Sequence, residues 1–173
     1  GFYMFLYLLL AGLLLAGDQL IKGWAIEVLK PADSIDIIPN VLSLHYHENF
    51  GAAWGILQGQ RWLLLAVTGV VLAVLLAGLL LGKFQGPLMR TSITLILAGG
   101  LGNLLDRAFH PGGFVVDYIY FEPINFPIFN LADICVCVGT FLLAFYILFV
   151  EGKQPLAEGS APAGEEPPPE ENA

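Results

Sequence analysis

Charged residues are scarce in this sequence, and positively charged ones are the scarcest. Only 13% of the 173 residues are charged, and just 7 are Lys or Arg. So few cations form no basic stripe, which argues against a nucleic-acid partner. In contrast, 57% of the residues are hydrophobic, more than in an ordinary soluble domain. The composition therefore predicts a single membrane-embedded domain.

Cysteine is also rare, and the spacing of the two cysteines argues against a disulfide. Cys135 and Cys137 stand two positions apart in an apolar helical run, where their side chains point to nearly opposite faces. We interpret both as small buried apolar residues. His45 and His47 would share one strand face, but no third or fourth zinc ligand follows at usable spacing. No metal or organic cofactor is expected.

Long uncharged runs are abundant and predict four transmembrane helices. The clearest run, residues 62–82, contains no charged residue. At a rise of about 1.5 Å per residue it can cross about 30 Å of hydrocarbon. The other candidates are residues 2–17, which can extend to Lys22, residues 91–105 and residues 134–150.

Acidic residues concentrate at the C-terminal end. Six of the fifteen acids lie in the last 23 residues, which are also rich in proline. This composition is typical of a disordered segment. We predict a membrane-embedded domain over residues 1–150 and a disordered, acidic, proline-rich tail over residues 151–173.

The distribution of cations gives only a weak indication of orientation. The connection of residues 83–90 holds two cations and no acid, which favours the cytoplasmic side. Both termini would then be cytoplasmic, and residues 18–61 and 106–133 would be extracytoplasmic. Charge alone leaves the orientation open, because four cations would lie on the opposite side: Lys22, Lys30, Arg61 and Arg107.

Two segments between the predicted spans have the pattern of β-strands. Residues 41–47 alternate apolar and polar side chains, which is the period of a half-buried strand. Residues 114–121 are rich in aromatic and β-branched residues and are followed by Pro123. We predict an α-helical membrane protein with four transmembrane helices and a small extracytoplasmic β-sheet on the membrane surface.

Two aspartates stand where a charge is expensive. Asp117 lies midway through the second predicted strand, and Asp133 directly precedes the last apolar run. A charged side chain near the bilayer centre costs about 2.5 to 3.5 kcal/mol, so such residues are usually functional or paired. For Asp133 there is a structural alternative, in which Asn130 is an N-cap and Asp133 completes a capping box. Together the two carboxylates indicate an acid/base pair at the membrane surface.

Two polar clusters accompany these aspartates. Asp18 and Lys22 are four positions apart and therefore neighbours on one helix face, where we expect a fixed structural role. Asn103, Asp106 and Arg107 fall at positions i, i+3 and i+4, so all three converge on one face near the end of the third span.

Four segments, taken in order, resemble the lipoprotein signal peptidases of bacteria, also called signal peptidase II. The segments are Asp18-Gln-Leu-Ile-Lys22, Asn49-Phe-Gly-Ala-Ala-Trp54, Gly102-Asn-Leu-Leu-Asp-Arg107, and Val115-Val-Asp117 followed by Phe129-Asn-Leu-Ala-Asp133. Each motif alone is short. Their order and their positions relative to the four spans make the resemblance specific, and it covers roughly residues 3–150.

The resemblance implies a membrane aspartyl endopeptidase of the bacterial inner membrane, with both termini cytoplasmic and no cofactor. Its substrate would be a diacylglyceryl-modified prolipoprotein, cleaved on the N-terminal side of the lipidated cysteine, and globomycin-like cyclic peptides would inhibit it. We expect the enzyme to act as a monomer near the extracytoplasmic leaflet. By motif position, the catalytic pair would be Asp117 and Asp133.

The remaining motif residues would form a polar shell around this pair. Asn49, Asn103, Arg107 and Asn130 are expected to bind substrate or support the pair, and Trp54 is expected to clamp the substrate. Asp18, Lys22 and Asp106 are expected to be structural.

Two carboxylates held close share one proton, so one accepts a proton from water while the other donates to the scissile carbonyl.

Two other functions remain open from the sequence. In a non-catalytic four-helix scaffold or transporter subunit, Asp117 and Asp133 would form structural salt bridges with Arg107 and Lys22. An intramembrane protease of the presenilin type would carry a Gly-x-Gly-Asp signature, but here Gly100-Leu-Gly102 is followed by Asn103.

Overall fold

The computed structural model describes residues 2–151, so the tail predicted over residues 151–173 lies outside the described residues except for Glu151. Four helical segments are long and apolar enough to cross a membrane, which confirms the predicted number of spans. They are Tyr3–Ala32, Arg61–Leu80, Pro87–Phe109 and Leu131–Phe149.

The first span is longer than the sequence predicted. Helix α1 (Phe2–Trp24) continues through a π-helical turn (Ala25–Leu29) into the short helix α2 (Lys30–Ala32). The π-helical turn contacts the sheet, because Ala25 and Leu29 are fully buried in one cluster with Val116. The polar residues at the end of the predicted span therefore do not mark the end of the helix.

The remaining spans are helices α3 (Arg61–Leu80), α4 (Pro87–Phe109) and α5 (Leu131–Phe149). Helix α4 packs against α1, α3 and α5 and is the central helix of the bundle. It extends four residues beyond both ends of the predicted span, 91–105. Its C-terminal turn tolerates Asp106 and Arg107 because both side chains have polar partners inside the protein.

A three-stranded antiparallel sheet lies beside the bundle, in the order β1-β2-β3. Strands β2 (Leu42–Asn49) and β3 (Val115–Phe121) lie within two residues of the predicted bounds, 41–47 and 114–121, and β1 (Ser34–Ile38) was not predicted. Strand β1 is an edge strand with mostly exposed residues, so its hydrophobic pattern is weak. A register shift between Leu44 and His47 brings His47 opposite Asp117.

Glycines allow α4 and α5 to pack closely. A Cβ atom on Gly99 would stand against the carbonyl oxygen of Ala132 and only 2.9 Å from Cγ2 of Val136. Of the two cysteines, Cys135 is buried in this contact region, whereas Cys137 is exposed on the protein surface. The expectation that both are buried was therefore wrong for Cys137, which lies on the other side of the same helix.

We predict that Gly99→Ala lowers the free energy of unfolding by about 1–3 kcal/mol, because the added methyl group overpacks the contact between α4 and α5. Thermal unfolding in detergent measures this effect. Gly69→Ala is the matched control, since nothing lies within 4 Å of its Cβ position. Equal stability of the two variants would contradict this account of the contact.

Candidate active site

Asn130 joins the two aspartates that the sequence singled out. Strand β3 carries Asp117, and the first turn of α5 carries Asp133. The side-chain amide of Asn130 donates to Oδ1 of Asp117 at 2.7 Å, and its backbone N–H donates to Oδ2 of Asp133 at 3.1 Å. The predicted capping box is confirmed. It does not replace a role in the site, because the same Asn130 also binds Asp117.

Two further asparagines complete the hydrogen bonding of the carboxylates. Asn49 donates through Nδ2 to Oδ2 of Asp117 at 3.1 Å. Asn103 donates through Nδ2 to Oδ1 of Asp133 at 2.8 Å. Each of the four carboxylate oxygens thus accepts a hydrogen bond from a neutral N–H group.

Burial makes the ionised form of Asp117 unfavourable. Its side chain is 1% exposed. Burial, followed by the negative charge of Asp133, raises the pKa of Asp117 to about 7, despite the opposing hydrogen bonds from Asn49 and Asn130. The arrangement can therefore hold a proton close to neutral pH, as a shared acid/base pair requires.

Lys22 is paired with the other two carboxylates of this region. Its Nζ lies 2.9 Å from Oδ2 of Asp18 and 3.1 Å from Oδ2 of Asp106, and all three side chains are almost fully buried. The same Nζ donates to Oδ1 of Asn103 at 3.1 Å. The predicted pair of Asp18 and Lys22 is thus confirmed, as part of a buried cluster of three charges.

Asp18 and Asp106 also bind the backbone directly before each of the two aspartates of the pair. Oδ1 of Asp18 accepts the N–H of Ala132 at 3.0 Å, and Oδ2 of Asp106 accepts the N–H of Val116 at 3.0 Å. Ala132 immediately precedes Asp133, and Val116 immediately precedes Asp117. The buried charges therefore position both aspartates through the chain.

The scaffold hypothesis required salt bridges from Asp117 and Asp133 to Lys22 and Arg107. Within residues 2–151, neither aspartate has an ion pair at salt-bridge distance; the pairs that form join Lys22 to Asp18 and Asp106, and Lys30 to Glu48. The guanidinium of Arg107 instead donates through Nη2 to the carbonyl of Gly51 at 2.6 Å.

Two residues that form hydrogen bonds to α4 near the site were not identified from the sequence. Arg61 donates through Nε to the carbonyl of Arg107 at 2.8 Å and through Nη2 to that of Ala108 at 2.7 Å. Gln19 donates to the carbonyl of Gly102 and to Oδ1 of Asp106. Arg61 marked only a span boundary in the sequence, and no local spacing links it to α4.

A large cavity of about 870 Å³ opens in front of the aspartate pair. Asn130 is fully buried behind this cavity, and Lys22, Asp18 and Asp106 lie behind it too. The predicted site residues that line the cavity are Asn49, Trp54, Asn103, Arg107, Asp117 and Asp133.

The rim of the cavity is aromatic. Trp54 is 71% exposed and makes an edge contact with Phe126, with ring centroids 6.2 Å apart. Of the two histidines considered as metal ligands, His45 packs edge-on against Tyr120, and His47 lines the cavity. Groups of three or more His, Cys, Asp or Glu residues suited to a metal do not occur among residues 2–151.

Comparisons with known proteins agree on one family. Residues 10–149 match the family model described as signal peptidase (SPase) II. The chain is 41% identical to the lipoprotein signal peptidase of Clostridium acetobutylicum, over 79% of this chain and 90% of that protein. It is 43% identical to that of Clostridioides difficile, over 86% of this chain and 98% of that protein.

A solved structure of a bacterial membrane enzyme has the same fold. It superposes with a TM-score of 0.76 at 32% identity and covers 90% of this chain and 93% of its own. A second solved structure, also of a bacterial membrane enzyme, gives a TM-score of 0.74 at 34% identity and covers 83% of this chain and 93% of its own.

We predict that Lys22→Met lowers the free energy of unfolding by about 3–5 kcal/mol, because it leaves two buried carboxylates without a cation. Chemical unfolding in detergent measures the change. Lys30→Met is the control: its partner Glu48 is 2.9 Å away, but the pair is exposed, so we expect a loss below about 1 kcal/mol. Similar losses for both variants would refute the central position of Lys22.

Proposed function

The chain belongs to the signal peptidase II family and is a multi-pass membrane protease that removes signal peptides from prolipoproteins; on this premise we propose that it is an aspartic endopeptidase whose catalytic pair is Asp117 and Asp133. Three observations on the same two side chains carry the proposal. Both carboxylates line the large cavity, Asn130 binds both, and within the described part of the chain neither has a salt bridge.

The chemistry follows from a proton held between the two carboxylates. The ionised member accepts a proton from a water molecule, and that water attacks the scissile carbonyl. The protonated member donates to the carbonyl oxygen and so limits the negative charge of the tetrahedral intermediate. Asn49, Asn103 and Asn130 hold the carboxylates in position, and Asn103 also lines the cavity, where it can bind the substrate backbone.

The substrate we propose is a diacylglyceryl-modified prolipoprotein, cleaved on the N-terminal side of the lipidated cysteine. The cavity supports this because its wall combines polar residues near the pair with apolar residues of α5, such as Ile134 and Val138. A peptide with an attached lipid presents the same combination. Cyclic peptides of the globomycin type are expected to compete for this cavity.

We propose the bacterial inner membrane as the location, with both termini in the cytoplasm and the site near the extracytoplasmic leaflet. The relatives are bacterial proteins. The connection between α3 and α4, taken together with the first turn of α4, holds Lys83 and Arg90 without an acid, as expected on the cytoplasmic side. We also propose that the enzyme acts as a monomer.

The segment after β2 is proposed as a clamp over the substrate. Both of its ends are tied to the end of α4, since Arg107 binds the carbonyl of Gly51 and Arg61 binds the carbonyls of Arg107 and Ala108. Between these ends Trp54 has a left-handed backbone conformation (φ 54°) and an exposed side chain at the cavity rim.

We predict that Asp117→Asn and Asp133→Asn each reduce cleavage of a diacylated prolipoprotein by about a thousandfold, because each removes one member of the proton-transfer pair. Turnover by the purified variants in detergent measures the loss. Asp36→Asn, at an exposed position of β1, is the control and is expected to cleave normally. Normal turnover by either of the first two variants would exclude the pair.

The pH dependence of stability separates this proposal from a structural role. Because burial raises the folded-state pKa of Asp117 from 3.8 to about 7, its contribution to stability is present below about pH 4 and is lost as the pH rises to about 7. Asp117→Asn should abolish that loss. An aspartate held in a salt bridge would show the opposite dependence, with stability lost on acidification.

For the clamp, we predict that Trp54→Ala raises KM about tenfold, since the variant loses the contact between the exposed Trp54 ring at the cavity rim and the substrate. The kcat should change little because Trp54 does not touch the aspartates. Steady-state cleavage kinetics measure both values. Phe109→Ala, a similarly exposed aromatic (79%) away from the cavity, serves as control, and an unchanged KM for Trp54→Ala would rule out the clamp.

A further inference from the structure

A second, smaller cavity lies between α3 and α5, with α4 as its floor. Its volume is about 270 Å³. The residues on the α3 side are spaced by one helical turn, as Val67 and Val71 are, and so are Ile96 and Gly100 on the α4 side. The lining of this lateral cleft is apolar apart from Thr68 and its inner end.

Gly100 allows α3 to pack closely on α4 at the base of the lateral cleft. A Cβ atom at this position would stand 2.6 Å from Cδ2 of Leu72, which is itself 5% exposed. On the α3 wall, Val67 and Val71 are 55% and 49% exposed. The lateral cleft is therefore a groove that opens toward the lipid side of the bundle.

The inner end of the lateral cleft is continuous with the catalytic cavity. Asn103, Arg107 and Val136 line both cavities. At this junction Nε of Arg107 is buried and has no hydrogen-bond partner within residues 2–151, although a buried donor normally has one. A group that enters from the catalytic cavity thus meets an available donor first and an apolar groove behind it.

The chemistry of the lateral cleft favours a hydrocarbon chain over an extended peptide. Its walls are apolar apart from Thr68 and the junction at Asn103 and Arg107, so the backbone N–H and C=O groups of an extended peptide would find few partners there. A single hydrocarbon chain needs no internal hydrogen bonds and can follow a narrow apolar groove.

We propose that the lateral cleft binds one acyl chain of the diacylglyceryl group on the substrate, with the adjoining ester carbonyl accepting a hydrogen bond from Nε of Arg107. This inference rests on the proposed function, because it takes the substrate to be diacylglyceryl-modified. In a bilayer the chain gains little by leaving the surrounding lipid. Its binding in the lateral cleft therefore acts by orienting the lipidated cysteine against the aspartate pair.

The test combines a change in the lateral cleft with a change in acyl-chain length. Val71→Phe fills the groove from a partly exposed wall position, and Val70→Phe, on an exposed position that does not line the lateral cleft, is the matched control. Both variants are assayed in lipid nanodiscs with prolipoprotein peptides that carry either palmitoyl or butanoyl chains. Val67→Phe repeats the test from a second wall position.

We expect Val71→Phe and Val67→Phe to lower kcat/KM about tenfold for the palmitoyl peptide, within the range that small misplacements of a reacting group cause. Cleavage of the butanoyl peptide should be unchanged, which also shows that the variants are folded. Val70→Phe should leave both substrates unaffected.

Two results would overturn the proposal. An equal loss with both peptides would mean that the lateral cleft binds the signal peptide and not an acyl chain. No loss with either peptide would mean that the lateral cleft is not used. Neither result bears on the catalytic pair, whose failure would appear separately as normal cleavage by Asp117→Asn or Asp133→Asn.

Discussion

A single buried ammonium group, that of Lys22, divides the four carboxylates of the site into two pairs. Asp18 and Asp106 share its charge at 2.9 and 3.1 Å, whereas Asp117 and Asp133 accept hydrogen bonds from neutral N–H groups only. A buried carboxylate without a cation is costly when ionised. The cation therefore stabilises the supporting pair and leaves the other pair to reduce its own charge by holding a proton.

The three buried charges of Lys22, Asp18 and Asp106 also determine the position of the pair formed by Asp117 and Asp133. Asp18 and Asp106 bind the backbone N–H groups directly before Asp133 and Asp117. Lys22 donates to Oδ1 of Asn103, so the amide nitrogen of Asn103 faces Asp133. The geometry of the pair is thus set before substrate arrives, which is the preorganisation that acid/base catalysis requires.

The features that could be predicted from the sequence are those that a local pattern of residues determines. Uncharged runs predicted the four spans, alternation predicted β2, aromatic and β-branched residues predicted β3, and the spacing of Asn130 and Asp133 predicted the capping box. Contacts between distant segments were not accessible: Arg61 reaches the end of α4 across 46 positions, and Asp18 reaches Ala132 across 114. Strand β1 and the π-helical turn depend on tertiary contacts within and against the sheet, and Cys137 is exposed because it lines the open catalytic cavity.

The central claim is that the pair at Asp117 and Asp133 holds a proton near neutral pH. Infrared difference spectroscopy of the protein in lipid, with Asp117→Asn used to assign the carboxyl band, measures this most directly. The account predicts a protonated carboxyl band that disappears with a midpoint near pH 7. Absence of this band throughout the range between the ordinary aspartate pKa of about 4 and pH 7 would contradict it.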